Sequence, residues 1–159
     1  MKGVFLGLAL LFIALFLISL IFLQKSVVST FSEAEFIGNR VESMINFIKS
    51  VFLDSQKAVD IIGKRAMNAA INYVIVNGKR LGEANYTIYE LMVNGTINNT
   101  LQPLMEDSTL KDWEIKIKNI AKERGFELNL TFDKIFIFMN DSFNLAVNYE
   151  INSSIFDPK

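Results

Sequence analysis

The chain has 159 residues, which allows one compact domain plus an appendage, and its net charge of −1 provides no basic footprint for nucleic acid. It contains no cysteine and no histidine, which excludes disulfides, thiolate chemistry and metal sites built on either residue. The commonest general acid or base near neutral pH is therefore missing too.

The first predicted element is a long apolar helix. Val4 to Leu23 form twenty residues without charge or proline, and as a helix they extend about 30 Å, the thickness of a bilayer's hydrocarbon core. We predict a membrane-spanning or filament-core helix over residues 1–29. The alternative is a cleaved secretory signal with Val27 and Ser29 at the cut, but its apolar stretch normally runs only about 7 to 15 residues.

Three small residues lie along one face of this helix. Gly3 and Gly7 form a G-x-x-x-G pattern, and Ala14 lies two further turns along the same face. In lipid, small residues let helices approach closely, so the pattern predicts packing with other copies of the chain. Glycine is also tolerated in membrane helices without such contacts, and both explanations stay open.

Residues 30–77 predict a long amphipathic helix, called the stalk here. Thr30 with Glu33, or Ser32 with Glu35, offers an N-terminal capping box, unless the apolar helix simply continues. Apolar or small side chains then recur at steps of three and four: Ile37, Val41, Met44, Ile48, Val51, Ser55, Ala58, Ile62, Ala66, Ala69, Tyr73 and Val76. Either the C-terminal domain folds back over this stripe or other copies of the chain cover it.

Residues 78–159 predict an extracytoplasmic α+β domain, which begins after a helix stop at Asn77-Gly78. A short helix from Thr87 to Val93 ends at Asn94-Gly95, and a loop follows. Ser108 or Thr109, with Asp112, then starts a second helix that Gly125 stops. The side chains expected on its inner face are Leu110, Trp113, Ile117, Ile120 and Ala121.

Three strands are predicted to follow as an antiparallel meander. FELNLTF, residues 126–132, alternates in polarity and places Asn129 on the outer face. IFIFM, residues 135–139, is apolar on both faces, as in a central strand covered by a helix. FNLAVNYEI alternates again, with Phe143, Leu145, Val147, Tyr149 and Ile151 on one side. The links at Asp133-Lys134 and at residues 140–142 are short enough for hairpin turns.

The distal half is rich in Asn-x-Ser/Thr sequons, the acceptor pattern for N-linked sugar. Six occur, at Asn85, Asn94, Asn98, Asn129, Asn140 and Asn152. Asn, Ser and Thr also gather in turns, but Asn129 belongs to a predicted strand. The excess predicts that residues from Gln24 onward lie outside the cytoplasm and that several of these asparagines carry sugar.

No catalytic, cofactor-binding or metal site is predicted. Asn140, Ser142 and Asn144 imitate the first ligands of a calcium loop. Leu145 and Ile151, however, stand where that loop requires glycine and a bidentate glutamate. No local signature of a Ser-Lys, Thr-amine or paired-carboxylate mechanism is present either. We therefore expect a protein that is not an enzyme and has no small-molecule substrate.

The order of parts, a short basic start, an apolar helix prolonged into a stalk, then a helix and antiparallel strands, resembles the type IV pilin superfamily, particularly archaeal pilin-like proteins. The segments NGT, TLKDWEIKIKNIA, RGFELNLTF and VNYEI look like archaeal membrane-anchored proteins of this kind. The resemblance implies cleavage between Gly3 and Val4. The leader would then be three residues long, and Leu8 stands where bacterial pilins usually carry glutamate.

These patterns and the resemblance together predict a membrane-anchored structural protein of the cell surface, a pilin-like filament subunit with an N-glycosylated distal domain. Its partners would be the membrane and other copies of the chain, bound through the N-terminal helix. The alternative is a single-span envelope ectodomain that acts as a binding, sensor or accessory subunit, which requires a specific pocket. A membrane-bound hydrolase is a third option, without a recognisable catalytic set.

Overall fold

The computed structural model describes the backbone of residues 2–139 and 144–158 and the side chains of residues 11–22, 35–138 and 144–158. The chain is an α+β protein with one long helix and, in the described residues, two small antiparallel sheets. Its elements are α1 (Lys2–Asn77), α2 (Ala84–Asn94), β1 (Thr96–Ile97), β2 (Thr100–Leu101), a 3-10 turn (Pro103–Met105), α3 (Leu110–Glu123), β3 (Glu127–Met139) and β4 (Leu145–Phe156). The predicted fold class is therefore confirmed at this level.

The chain forms two compact units, Met1–Ile45 and Asn46–Lys159. The first consists of the N-terminal part of α1. The second contains the remainder of α1, so the latter part of the predicted stalk belongs to the same unit as the distal domain. In the parts of the chain whose residues are described, none of the helices combines the length and the apolarity that a membrane crossing requires.

The apolar stripe of the stalk is buried only in its middle part. Val51, Ile62 and Ala66 are buried within the second unit, whereas Val76, near the end of α1, is 72% exposed. The helix ends at Asn77 because Gly78 takes a left-handed conformation (φ +64°), and its N–H donates to the carbonyl of Val74 at 2.9 Å. The predicted helix stop is confirmed.

Helix α3 has the start that its sequence predicts. The Thr109 hydroxyl accepts from the Asp112 N–H at 3.1 Å, and the Asp112 carboxylate accepts from the Thr109 N–H at 2.9 Å. This reciprocal capping box satisfies two backbone donors that the helix itself leaves free. Four of the five side chains expected on the inner face are buried, but Ile120 is exposed because it lies at the margin of the covered face.

The predicted three-stranded meander is wrong. In the described residues FELNLTF and IFIFM belong to the single strand β3, which pairs with β4 in a two-stranded hairpin. Asp133 and Lys134 form a β-bulge instead of a turn, because both lie opposite Glu150 in the register. Lys134 pairs with Glu150 at 3.0 Å and Asp133 accepts from Asn152, so cross-strand contacts hold the bulge. The link predicted at residues 140–142 lies outside the described residues.

The bulge changes which residues of β3 face inward. Before it, Leu130 is buried; after it, Ile137 is buried, and the inward positions have changed from even to odd numbers. Phe136 and Phe138, 55% and 48% exposed, consequently lie on the outer face. The interpretation of IFIFM as a strand covered on both faces is therefore wrong.

The inner face of the β3–β4 hairpin packs against the helices of the second unit. Phe132 lies between Trp113 of α3 and Tyr149 of β4, with ring centroids 5.5 Å from each. The hydroxyls of Tyr149 and Ser55 are 3.2 Å apart, which ties β4 to α1. The most completely buried large side chains are Leu91, Met92, Met105, Leu110 and Leu130. The core thus joins α2, the 3-10 turn, α3 and the hairpin.

Candidate functional site

Residues 11–22 form an apolar and solvent-exposed segment of α1. All ten large apolar side chains among residues 11–22 are between 47% and 71% exposed. They point in every direction around the helix, and Ala14 is exposed among them. Gly3, Val4 and Gly7, predicted for helix packing or processing, lie outside the residues whose side chains are described. A helix of this kind needs an apolar environment on all sides.

Five of the six sequon asparagines are described, and all five are exposed. Asn85 and Asn94 lie at the two ends of α2, and Asn98 lies in the turn between β1 and β2. Asn129 and Asn152 lie on the outer face of the β3–β4 hairpin, as the alternation of Asn129 predicts. Asn140 lies outside the described residues. The five described asparagines are therefore all accessible to solvent, but they lie in different types of secondary structure.

A buried carboxylate organises the loop that carries the sequons at Asn94 and Asn98. Glu90 of α2 is 7% exposed and accepts from the Thr96 hydroxyl at 2.7 Å. It also accepts from the backbone N–H groups of Asn98 at 3.1 Å and Asn99 at 2.9 Å. Both asparagines have positive φ, +49° and +60°, as a two-residue hairpin turn requires.

These contacts set the ionisation of Glu90. Burial raises its pKa, but the hydrogen bonds from Thr96, Asn99 and Asn98 outweigh that effect and leave the pKa below its usual range. The group is therefore ionised at neutral pH, and its partners belong to the loop that it holds. Glu90 could not be identified from the sequence, because a single carboxylate in a short helix gives no signal of burial. The Asn98-Asn99 pair, typical of a tight hairpin turn, is the signal that could have pointed to the loop.

The two sequons of the β3–β4 hairpin face each other across the strands. Asn129 pairs with Ser154, the hydroxyl residue of the sequon at Asn152. Asn152 pairs with Thr131, the hydroxyl residue of the sequon at Asn129. Directly opposed residues have Cβ atoms about 4.5–5.5 Å apart, so the two sequons occupy one small patch.

A cleft of about 320 Å³ lies between α1 and the start of α3. Within it, the Trp113 indole N–H donates to Asp54 at 2.9 Å, and Arg65 donates to the Ser108 hydroxyl. A guanidinium stays protonated in proteins and cannot act as the general base for a serine. This contact therefore holds the loop before α3 and does not activate a nucleophile.

A second, apolar groove of about 260 Å³ lies between the end of α1 and α2. Its walls include Ala70, Val74 and Leu81, with Ile88 of α2 at its base. Ile71 and Ile75 are exposed beside it. The groove offers apolar contact and few polar groups that could orient a ligand.

Among the described residues, no group of three or more acidic, histidine or cysteine side chains could hold a metal ion. Comparisons of the chain with protein-family models, with curated proteins and with solved structures found no match.

Proposed function

We propose that the chain is a membrane-anchored structural protein of the cell surface, a pilin-like filament subunit with an N-glycosylated distal domain. The observation that carries this proposal is the exposure of all ten large apolar side chains among residues 11–22. Exposed apolar surface of this extent marks a site that lipid or another protein covers. An apolar helix ahead of a polar domain fits both the membrane and a filament core.

The energy of covering this segment supports an assembly. Burial of one Leu, Ile or Phe side chain stabilises a structure by about 1.5–3 kcal/mol. The ten side chains are between 47% and 71% exposed, so complete cover of the segment would contribute roughly 9–17 kcal/mol. This contribution is comparable to or larger than the cost of association, about 4–15 kcal/mol. Identical helices from other copies of the chain would provide this cover along a filament.

The sequons support an extracytoplasmic position for the second unit. The five described asparagines are exposed, so attached sugar would clash with no core side chain. Oligosaccharide on the outer face of the β3–β4 hairpin would also shield the exposed rings of Phe136 and Phe138. Glycans would thus solubilise a domain whose sheet is uncovered on that face.

The apolar groove between α1 and α2 is the feature that would support a second candidate function, an envelope ectodomain that binds a ligand. Its volume of about 260 Å³ lies below the range of small-molecule sites, about 300–1,000 Å³. The groove also lacks the convergent polar groups that give such sites their specificity. For these reasons we favour the filament subunit.

Electron microscopy of native material tests the proposal. A filament subunit gives filaments with the N-terminal helix inside, whereas an ectodomain gives dispersed particles in detergent. The intact mass of the same sample reports the attached sugar and whether the chain begins at Met1 or at Val4. Dispersed particles that begin at Met1 and carry no sugar would contradict the proposal.

A further inference from the structure

The sequons differ in what the fold does to their hydroxyl groups. N-glycosylation requires a Ser or Thr two residues after the asparagine, so the transferase must reach that hydroxyl as well as the amide. In a strand, residues i and i+2 point to the same face, whereas in an α-helix they point to nearly opposite faces. A sequon in an outward strand therefore presents both groups together, and a helical sequon separates them.

In the sequons of α2 the hydroxyl is occupied inside the domain. Thr87, which belongs to the sequon at Asn85, is buried, and its hydroxyl donates to the Glu83 carbonyl at 3.0 Å. Thr96, which belongs to the sequon at Asn94, is half-buried and donates to the Glu90 carboxylate at 2.7 Å. Asn94 is engaged as well, because its side-chain oxygen accepts from Lys111 at 2.6 Å.

In the sequons of the two hairpins the hydroxyl is accessible. Thr100, Thr131 and Ser154 are exposed, and in the described residues none of their hydroxyls makes a hydrogen bond. Asn129 with Thr131 and Asn152 with Ser154 point outward from the same face of the hairpin. Each pair therefore presents its amide and its hydroxyl on one accessible face. The Asn152 amide also donates to the Asp133 carboxylate, a solvent-exposed contact that must open before transfer.

We propose that folding sorts the sequons into two classes. Asn85 and Asn94 accept sugar only while α2 is unfolded, whereas Asn98, Asn129 and Asn152 remain acceptors in the folded domain. This inference rests on the proposed function, because it concerns the same glycosylated surface. Glu90 contributes to both classes. Its carboxylate binds the hydroxyl of Thr96, which belongs to the sequon at Asn94, and it fixes the turn that exposes Asn98.

The chemical step is the transfer of an oligosaccharide from a lipid phosphate or pyrophosphate. The asparagine amide nitrogen forms a bond to the anomeric carbon of the sugar, and the bond from that carbon to the phosphate oxygen breaks. The nitrogen loses one proton, which passes to water, and the lipid phosphate leaves with the electron pair. The fold influences this step only through access to the amide and the hydroxyl.

A transfer assay on two forms of the same chain tests the inference. The full chain is produced without glycosylation and kept in detergent. One sample of it, and a proteolytic digest of a second sample, are each incubated with an N-oligosaccharyltransferase and a lipid-linked oligosaccharide. Glycopeptide mass spectrometry gives the initial rate at each site. At Asn85 and Asn94 we expect the folded chain to react at least about tenfold more slowly than the peptides. At Asn98, Asn129 and Asn152 we expect the rates of the folded chain and of the peptides to agree within about threefold. Equal rates at Asn94 in both forms would overturn the inference, as would protection of the three hairpin sites.

A variant identifies the role of the carboxylate. Glu90→Ala removes the partner of Thr96, so the rate at Asn94 in the folded chain should rise about tenfold while Asn85 stays protected. Glu123→Ala, an exposed carboxylate at the end of α3, is the matched control and should leave every site unchanged. If Glu90→Ala unfolds α2, the rates at Asn85 and Asn94 rise together, which also supports the inference. No change at Asn94 would contradict the role of Glu90.

The assay separates this inference from the proposed function. Native protein that carries no sugar at any asparagine would overturn the proposed glycosylated surface. The difference in transfer rates between the folded chain and its peptides would be unaffected by that result, because it depends only on the fold.

Discussion

Replacement of Glu90 by glutamine tests the energetic role of the buried carboxylate. Oε1 accepts from the Thr96 hydroxyl and from the Asn99 N–H, and Oε2 accepts from the Asn98 N–H. Glutamine keeps one oxygen and replaces the other with an NH₂ group that cannot accept. In its better orientation the variant retains the bonds to Thr96 and Asn99, and its NH₂ group faces the Asn98 N–H.

The expected loss follows from these three bonds. A hydrogen bond to a charged group contributes about 1.5–3 kcal/mol, and one to a neutral group contributes about 0.5–1.5 kcal/mol. Glu90→Gln loses one charged bond and weakens two others, but solvent can reach the exposed turn residues Asn98 and Asn99. We therefore expect the free energy of unfolding at pH 7 to fall by about 2 kcal/mol.

The loss should also depend on pH. Because the folded state lowers the pKa of Glu90, its carboxylate contributes stability above the unfolded pKa of about 4.3. That contribution disappears as pH falls through the folded pKa. Urea unfolding of the full chain in detergent, followed by the fluorescence of Trp113, should show the difference between the variant and the wild type shrinking as pH falls below the unfolded pKa of Glu90. A loss under about 0.5 kcal/mol at pH 7 would refute the reasoning. So would a loss that stays the same at every pH down to acid unfolding, because it would not come from the charge of Glu90. Glu123→Gln is the matched control.

Three further substitutions test other parts of the molecule. Phe16→Lys places a charge in the exposed apolar segment, which costs about 2.5–3.5 kcal/mol in lipid. In sedimentation it should shift the chain from the membrane or filament fraction to the soluble fraction, whereas Phe136→Lys should not. If the two variants sediment alike, residues 11–22 do not anchor the chain. Thr109→Ala removes the capping box and should lower the free energy of unfolding by about 1 kcal/mol, while Thr100→Ala, at an exposed threonine, should leave it unchanged. Ala66→Leu overpacks a position without solvent exposure and should cost about 1–3 kcal/mol in urea unfolding; a neutral result would mean that α1 is loosely packed there.

Elements with local signals could be predicted from the sequence. The capping box of Thr109 and Asp112 and the glycine after Asn77 act within a few residues, so their patterns place helix ends correctly. The alternation in FNLAVNYEI, residues 143–151, likewise predicts which side of β4 faces the helices over Leu145 to Ile151. Spacing also predicts the stripe on α1, but it carries no information about how much of the stripe the domain covers.

Features that depend on distant partners could not be predicted. Asp133-Lys134 has the composition of a turn, and its role as a bulge follows from Glu150 and Asn152 on the other strand. Glu90 likewise resembles an ordinary surface carboxylate of a helix until the turn at Asn98 closes over it. The sequons illustrate the same limit, because one pattern occurs with both buried and exposed hydroxyls.

The bulge at Asp133 and Lys134 makes the effect of a deletion in β3 depend on how many residues are lost there. Loss of one of them would leave a single residue opposite Glu150 and restore regular pairing, with Ile135 and Ile137 still facing the helices. Loss of both would turn Phe136 and Phe138 toward the helices and Ile135 and Ile137 toward solvent. Two large rings would then have to enter a space shaped for branched aliphatic side chains. Evolution could therefore remove one bulge residue more easily than it could remove both.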